Sequence, residues 1–291
     1  MTKPSSPDTS PELYDRTAHD YDAVLVVSFG GPEGPDDVMP FLENVLRGLK
    51  LPPPAIKGIA RRYEAFGGVS PINAQTREFI AALEKELDAN GIDLPVYWGN
   101  RNWHPFLPDT LETMREDGIE RAIAYVTSTF SSYSGCRRYR EDLYAATHDL
   151  DNAPVIDKLR YGYNHPGFIT AVTERVRDAF AEIPAERQDP ATLVFTAHSL
   201  PNSMAEKAPY EAQIREAAAL VCEALGREKW ELAYQSNNAS YGEPWLEPRI
   251  EDVLAERAQQ GVTDIVVVPI GFVCDHMEVV LDLDVDAQKI A

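Results

Sequence analysis

Two short strings, each at the end of an apolar run, carry the residue types that could do chemistry. His198 directly follows TLVFTA, within AHSLP, and Glu278 lies in VCDHMEVVLDLDVD, just after DIVVVPIGF. If both runs are parallel strands of one sheet, their carboxyl ends share a rim, which is where open α/β sheets bind ligands. Imidazole and carboxylate together offer one nitrogen and one oxygen donor, a set suited to a divalent first-row metal such as Fe(II). Two donors are too few for a tightly held structural metal, so the pattern favours a metal in transit. Asp282 and Asp286 follow Glu278 at i+4 and i+8, which predicts three carboxylates along one helix face. Such a face is either a path that concentrates cations or the solvated side of an acidic protein. Asp275 and Asp284 add charge, and Arg257 is the sole Lys or Arg between positions 250 and 288.

Commoner chemistries are missing their motifs. The chain has no GxGxxG, GxxxxGKS, GxSxG or HExxH, which removes the dinucleotide, P-loop and commonest hydrolase assignments. Ser199 beside His198 is no nucleophile–base pair, because neighbours on an extended strand point to opposite faces. The string STFSSYSGCRRYRED follows another apolar run and opens a helix. Its Ser, Tyr and Arg groups can hold an anionic ligand or simply cap that helix.

The elements that position these residues follow from composition and pattern. With 291 residues, 44% hydrophobic and 25% charged, the chain is an ordinary globular protein of two domains or one large α/β unit. No apolar run approaches the ~20 residues that cross a bilayer, and residues 1–20 lack a signal-peptide core. A cytoplasmic location is expected. Lys and Arg total 27 against 47 Asp and Glu, a net charge of −20 that repels nucleic acid and anionic lipid. Cys136, Cys222 and Cys274 form no disulfide framework, which fits a reducing compartment. They are also too few for a cysteine-only zinc or iron–sulfur site.

Residues 1–20, rich in Pro, Ser and Asp, read as a disordered tail. From position 23 onward, short β-branched runs alternate with helical patterns, the signature of a parallel-sheet α/β protein. Strands are expected at 23–29, 96–99, 122–127, 192–197, 231–235 and 264–270. They fall into two sets of three. LPDTLETMREDGIERAIAYVTSTF and LEPRIEDVLAERAQQGVTDIVVVPIGF each read as helix, glycine stop, strand, with Gly118 and Gly261 at the helix ends. Two similar α/β domains are therefore expected, at 21–152 and 153–291. Residues 30–70 interrupt the first with a helix at 38–46 and a second ending at Phe66-Gly67-Gly68. An insertion of that length commonly forms a lid or pocket wall.

Four motifs now carry a family resemblance. VVSFGGPEGPDDVMPFLENVLRG, RRYEAFGGVSPINAQT, TAHSLP and PIGFVCDHMEVVLDLD, in that order, resemble the ferrochelatase family, in particular its actinobacterial coproporphyrin ferrochelatases. The likeness runs from Ala23 to the end. It implies two Rossmann-like, chelatase-type domains with parallel sheets and a porphyrin cleft between them. It further implies insertion of Fe(II), as substrate, into coproporphyrin III during haem biosynthesis. His198 matches the His of the HSLP motif and Glu278 the Glu of DHxE, the residues that face each other across the macrocycle. Asp282 and Asp286 match the family's acidic ridge, here a metal path. Arg62, Tyr63 and Ser70 match positions that contact porphyrin and its propionates, and Tyr139 matches a further porphyrin-contacting tyrosine.

Departures from the family pattern are also legible. Phe29, in the porphyrin-binding set, stands where firmicute relatives carry a tyrosine that reaches the metal, so it offers no phenolate. Leu46 replaces one of two adjacent propionate-binding arginines and leaves Arg47. The sequence stops at Lys289-Ile290-Ala291, within what reads as an unfinished helix, so a C-terminal truncation of the second domain is expected. In cluster-bearing relatives the following segment supplies three cysteines of a [2Fe–2S] centre, and Cys136 is similar to the fourth. Cys136 is thus a candidate cluster ligand without partners, and no cluster is expected here. A monomer is expected. Against this stand a protoporphyrin chelatase, a cobalt or nickel tetrapyrrole chelatase, and a porphyrin- or haem-binding protein without turnover.

Overall fold

A computed structural model of the chain describes residues 20–48, 51–237 and 242–291. The tail expected at 1–20 lies outside the described residues except for Asp20. The first half runs β1 (Ala23–Ser28), α1 (Val38–Val45), α2 (Pro53–Glu64), α3 (Ile72–Ala89), β2 (Val96–Asn100), α4 (Leu107–Glu116), β3 (Arg121–Val126), α5 (Arg138–His148) and β4 (Val155–Lys158). The second runs α6 (Pro166–Ala181), the short α7 (Ala185–Gln188), β5 (Thr192–His198), the short α8 (Asn202–Ala205), α9 (Tyr210–Leu225), β6 (Glu231–Gln235), α10 (Ile250–Gln259) and β7 (Ile265–Val268).

Among the described residues these strands form two parallel sheets, ordered β2-β1-β3-β4 and β6-β5-β7. The central strands are the most apolar. AVLVVS of β1 is buried at every position, as a strand covered by helices on both faces must be. In the other sheet Phe195 of β5 sits between Leu232 and Val268. The two sheets share one motif, a central strand flanked by the next two, and that is the repeat read from the sequence. Gly118 and Gly261 both adopt φ +79 after α4 and α10. At each, a helix ends in a left-handed residue and a backward bond, Ile119 N–H to Met114 C=O and Val262 N–H to Arg257 C=O. β4, which the sequence pattern missed, is a four-residue strand with no buried position, paired to β3 at the sheet edge.

In the insertion, α1 and α2 pack into an aromatic cluster. Phe41 is 2% exposed at its centre, with Phe29 at 6.3 Å, Tyr63 at 5.8 Å and Trp103 at 6.4 Å between ring centroids. One expectation changes. The carboxylate-bearing helix is not regular α-helix: one turn at Met277–Val279 (α11) passes into π-helix over Val280–Ala287. Leu281, Asp282, Leu283 and Ala287 are buried there, so packing surrounds more than one side. The wider i→i+5 turn is often found at functional sites.

Candidate active site

β5 ends on His198, and its neighbour β7 runs out beside it into the loop that leads to Glu278. That loop passes unusually close to the strand. A Cβ at Gly271 would stand 2.9 Å from both Cα and Cβ of Ala197, so only glycine allows the approach. The Gly271 N–H donates to the Thr196 carbonyl at 3.2 Å and fixes the crossing. His276 then caps α11, its Nδ1 accepting from the Glu278 backbone N–H at 3.2 Å.

The outcome is a pair. His198 Nε2 and Glu278 Oε2 lie 3.3 Å apart. His198 Nδ1 faces the carbonyl of Ser199, which can only accept, so Nδ1 carries the hydrogen and Nε2 points its lone pair or second proton at Glu278. Burial works to lower the His198 pKa. The hydrogen bond and charge of Glu278, the Ser199 carbonyl and Asp282 outweigh it, and the pKa is raised. For Glu278, burial works to raise the pKa, but the hydrogen bond and charge of His198, then His276 and Arg62, hold it well below the usual carboxylate range. Burial holds His276 below its ordinary value against the opposing charge of Glu278, which suits its role as a neutral acceptor.

This pair lines a cavity of about 320 Å³ to which the first half of the chain also contributes. Phe29, Tyr63 and Tyr139 line it together with His198 and Glu278, so five of the residues singled out in the sequence meet in one space. Burial, then the charge of Glu278, raise the Tyr63 pKa and keep its phenol protonated. Tyr139 is buried at the start of α5, beneath the Arg101 guanidinium at 4.6 Å. Arg101, also 5.7 Å from the Phe29 ring and paired with Asp142, lines the cavity as well. Neither Arg101 nor His276 is marked by a motif of its own in the sequence. His276 sits inside the DHME string, and Arg101 directly follows β2, a strand-end position like that of His198.

Other singled-out residues lie outside the cavity lining. Arg62 and Asp282, read separately as propionate and metal contacts, meet each other at 2.7 Å, and Arg62 also reaches Asp286 at 3.8 Å. Asp282 further accepts from the Ser236 hydroxyl, so both of its carboxylate oxygens are engaged. Asp286 keeps 50% of its side chain exposed. Arg62 touching both shows that the two aspartates do share a helix face. Ser70 is buried where the chain enters α3, its hydroxyl accepting from Ile72 N–H at 3.5 Å. Cys136 occupies a π-helical turn at Tyr133–Arg137, next to lining residue Gly135, and is a free thiol like Cys222 and Cys274. Among the described residues no three His, Cys, Asp or Glu side chains converge to hold a metal.

An imidazole nitrogen and a carboxylate oxygen thus share one cavity with the aromatic side chains of Phe29, Tyr63 and Tyr139. The fold that carries them is two parallel α/β sheets. The sequence profile of the ferrochelatase family matches residues 21–291, and the chain belongs to that family, whose members are lyases that insert iron into a porphyrin. It is 52% identical over 272 residues to a ferrochelatase of Rhodopirellula baltica, covering 93% of this chain and 77% of that one. Similarity to coproporphyrin III ferrochelatases is comparable. The Streptomyces coelicolor protein is 48% identical over 297 residues, with 95% of this chain and 78% of that one covered. The Corynebacterium glutamicum (strain R) protein is 44% identical over 282 residues, with 94% and 76% covered. Among the described residues no helix is long and apolar enough to cross a membrane.

Proposed function

We propose that this chain inserts Fe(II) into coproporphyrin III, with His198 and Glu278 handling the metal and the protons. The observation that carries the reading is the 3.3 Å pair of Nε2 and Oε2 in one cavity with Phe29, Tyr63 and Tyr139. Insertion exchanges two pyrrole N–H protons for one Fe(II), so two protons must leave the site in each turnover. Nδ1 is tied to a carbonyl, so Nε2 is the atom of His198 that accepts a proton or first contacts the metal. The Glu278 carboxylate stays ionised and serves as the second donor and as the route for the proton. Aromatic walls hold the macrocycle by its faces, and exclusion of water there strengthens the charge interactions at its centre.

The substrate assignment is supported by the likeness to the coproporphyrin III ferrochelatases of Streptomyces and Corynebacterium. Arg62, Tyr63, Ser70 and Tyr139 are assigned to the porphyrin and its propionates, Asp282 and Asp286 to the approach of iron. The scheme uses neither Cys136 nor a [2Fe–2S] cluster, and it places a monomer in the cytoplasm. A His198→Ala enzyme should lose about 100-fold or more in iron-insertion rate, the loss typical of removing a general base. Retention of most of the rate would overturn the role of His198.

A further inference from the structure

Gln75, on the first turn of α3, makes two hydrogen bonds to one residue of the opposite half. Its Nε2 donates to Asp275 Oδ2 at 2.9 Å, and its Oε1 accepts from the Asp275 backbone N–H at 2.7 Å. Both functional ends of the amide are used, which fixes the orientation of Asp275 as well as its distance. The base of this contact is rigid. Ile72, Asn73 and Thr76 of the same turn are buried, and the Asn73 amide exchanges hydrogen bonds with the Gly31 N–H at 3.3 Å and carbonyl at 3.2 Å. The far side leads directly to the reacting groups: Asp275 precedes His276, whose Nδ1 holds the Glu278 backbone N–H.

We infer that Gln75 is a positioning residue, an amide clamp that joins the two halves of the chain and fixes the loop presenting Glu278 to His198. The inference rests on the reading that Glu278 and His198 perform metal insertion. At its other end the loop is fixed by Gly271 against β5, so the clamp supplies the second anchor of a segment whose tip must be held to a fraction of an ångström.

The experiment compares the wild-type chain with Gln75→Glu and the double variant Gln75→Glu/Asp275→Asn. In Gln75→Glu the amide donor is replaced by a carboxylate facing a carboxylate. The double variant exchanges the two groups: the new amide on the loop donates to the new carboxylate on α3, the backbone N–H of the loop residue still donates, and the net charge equals that of the wild type. Expected for Gln75→Glu is a fall in kcat of about tenfold, on the scale that small misplacement of reacting groups produces. Porphyrin affinity, read by fluorescence, and Tm should stay near wild type. The double variant should recover to within about threefold of the wild-type rate, a difference of under ~1 kcal/mol in barrier. A Gln75→Glu enzyme with wild-type kcat, or a folded double variant no faster than Gln75→Glu, overturns the clamp. If Gln75→Glu does not fold, Gln75→Ala replaces it, with the same fall in kcat at unchanged porphyrin affinity expected and an unchanged kcat overturning the inference. A wild-type chain that inserts no iron contradicts the assignment of function instead, so the two failures are distinct.

Discussion

His198 and Glu278 stabilise each other's charged forms, and that coupling has a pH signature. The His198 pKa is raised above its ordinary 6.5, so its contribution to stability is complete below that pH and is lost as pH rises through the folded value. The Glu278 pKa is lowered from 4.5, so its contribution is present above that pH and is lost as pH falls through the folded value. The pair therefore stabilises the fold most between about pH 4.5 and 6.5. The Tm difference between wild type and Glu278→Gln should peak in that window and shrink on both sides; a pH-independent difference would contradict the coupling. Activity should follow the same pair, since only neutral His198 can accept a proton. The acid limb of kcat should move to lower pH in Glu278→Gln, where the main cause of the raised pKa is gone. At this scale much was legible. His198 ends β5 and Glu278 follows the loop that leaves β7, and both strands can be read from apolar runs. The tautomer of His198 was not, because it depends on a carbonyl whose direction only the turn after β5 decides.

The element carrying the acidic residues shows where sequence pattern gives out. Spacing by four placed Asp282 and Asp286 on one face, and Arg62 touching both bears that out. Spacing could not separate an α-helix from a π-helix, because buried residues at 281, 282, 283 and 287 leave no clean apolar stripe from which to measure a period. Nor could it see that Asp282 is already engaged by Arg62 and Ser236. Asp286, paired at the surface with Lys289 at 3.2 Å but half-exposed, is the more accessible test of iron attraction: Asp286→Asn should raise the KM for Fe(II) several-fold with little change in the KM for porphyrin. The effect should fade as salt screens the local field. Equal changes in both constants, or none, would return Asp286 to an ordinary solvated surface. Arg62 makes a different prediction, because a propionate must compete with Asp282 for the same guanidinium. Arg62→Ala should weaken coproporphyrin III binding about tenfold, equivalent to ~1.4 kcal/mol, and leave a fully esterified porphyrin nearly unaffected. Equal losses for both ligands, measured by fluorescence titration, would make Arg62 a support for the acidic helix alone.

Across the whole molecule, the two-sheet architecture was legible because the same pattern occurs twice. Each half carries a strand ending in small or polar residues, then a helix stopped by a left-handed glycine, then a second apolar strand. The six strands expected from that pattern are present, with ends that differ by at most two residues. β4 escaped because Val155–Lys158 is short, edge-placed and without a buried position, so no alternation marks it. Arg101 escaped for a related reason. Its importance lies in bridging Phe29 and Tyr139 at 5.7 and 4.6 Å, a juxtaposition of three distant segments that no local pattern encodes. The whole fold brings His198 and Glu278 of one half into one cavity with Phe29, Tyr63 and Tyr139 of the other, and the proposed function is that iron enters the porphyrin there. The direct measurement of that claim is to mix the wild-type chain with Fe(II) and an excess of coproporphyrin III without oxygen and follow the free-base absorption bands. Loss of those bands over many turnovers per chain, and faster than in a chain lacking the His198 imidazole, is the predicted result. A spectral shift that stops at one porphyrin per chain would contradict it and make the cleft a tetrapyrrole carrier.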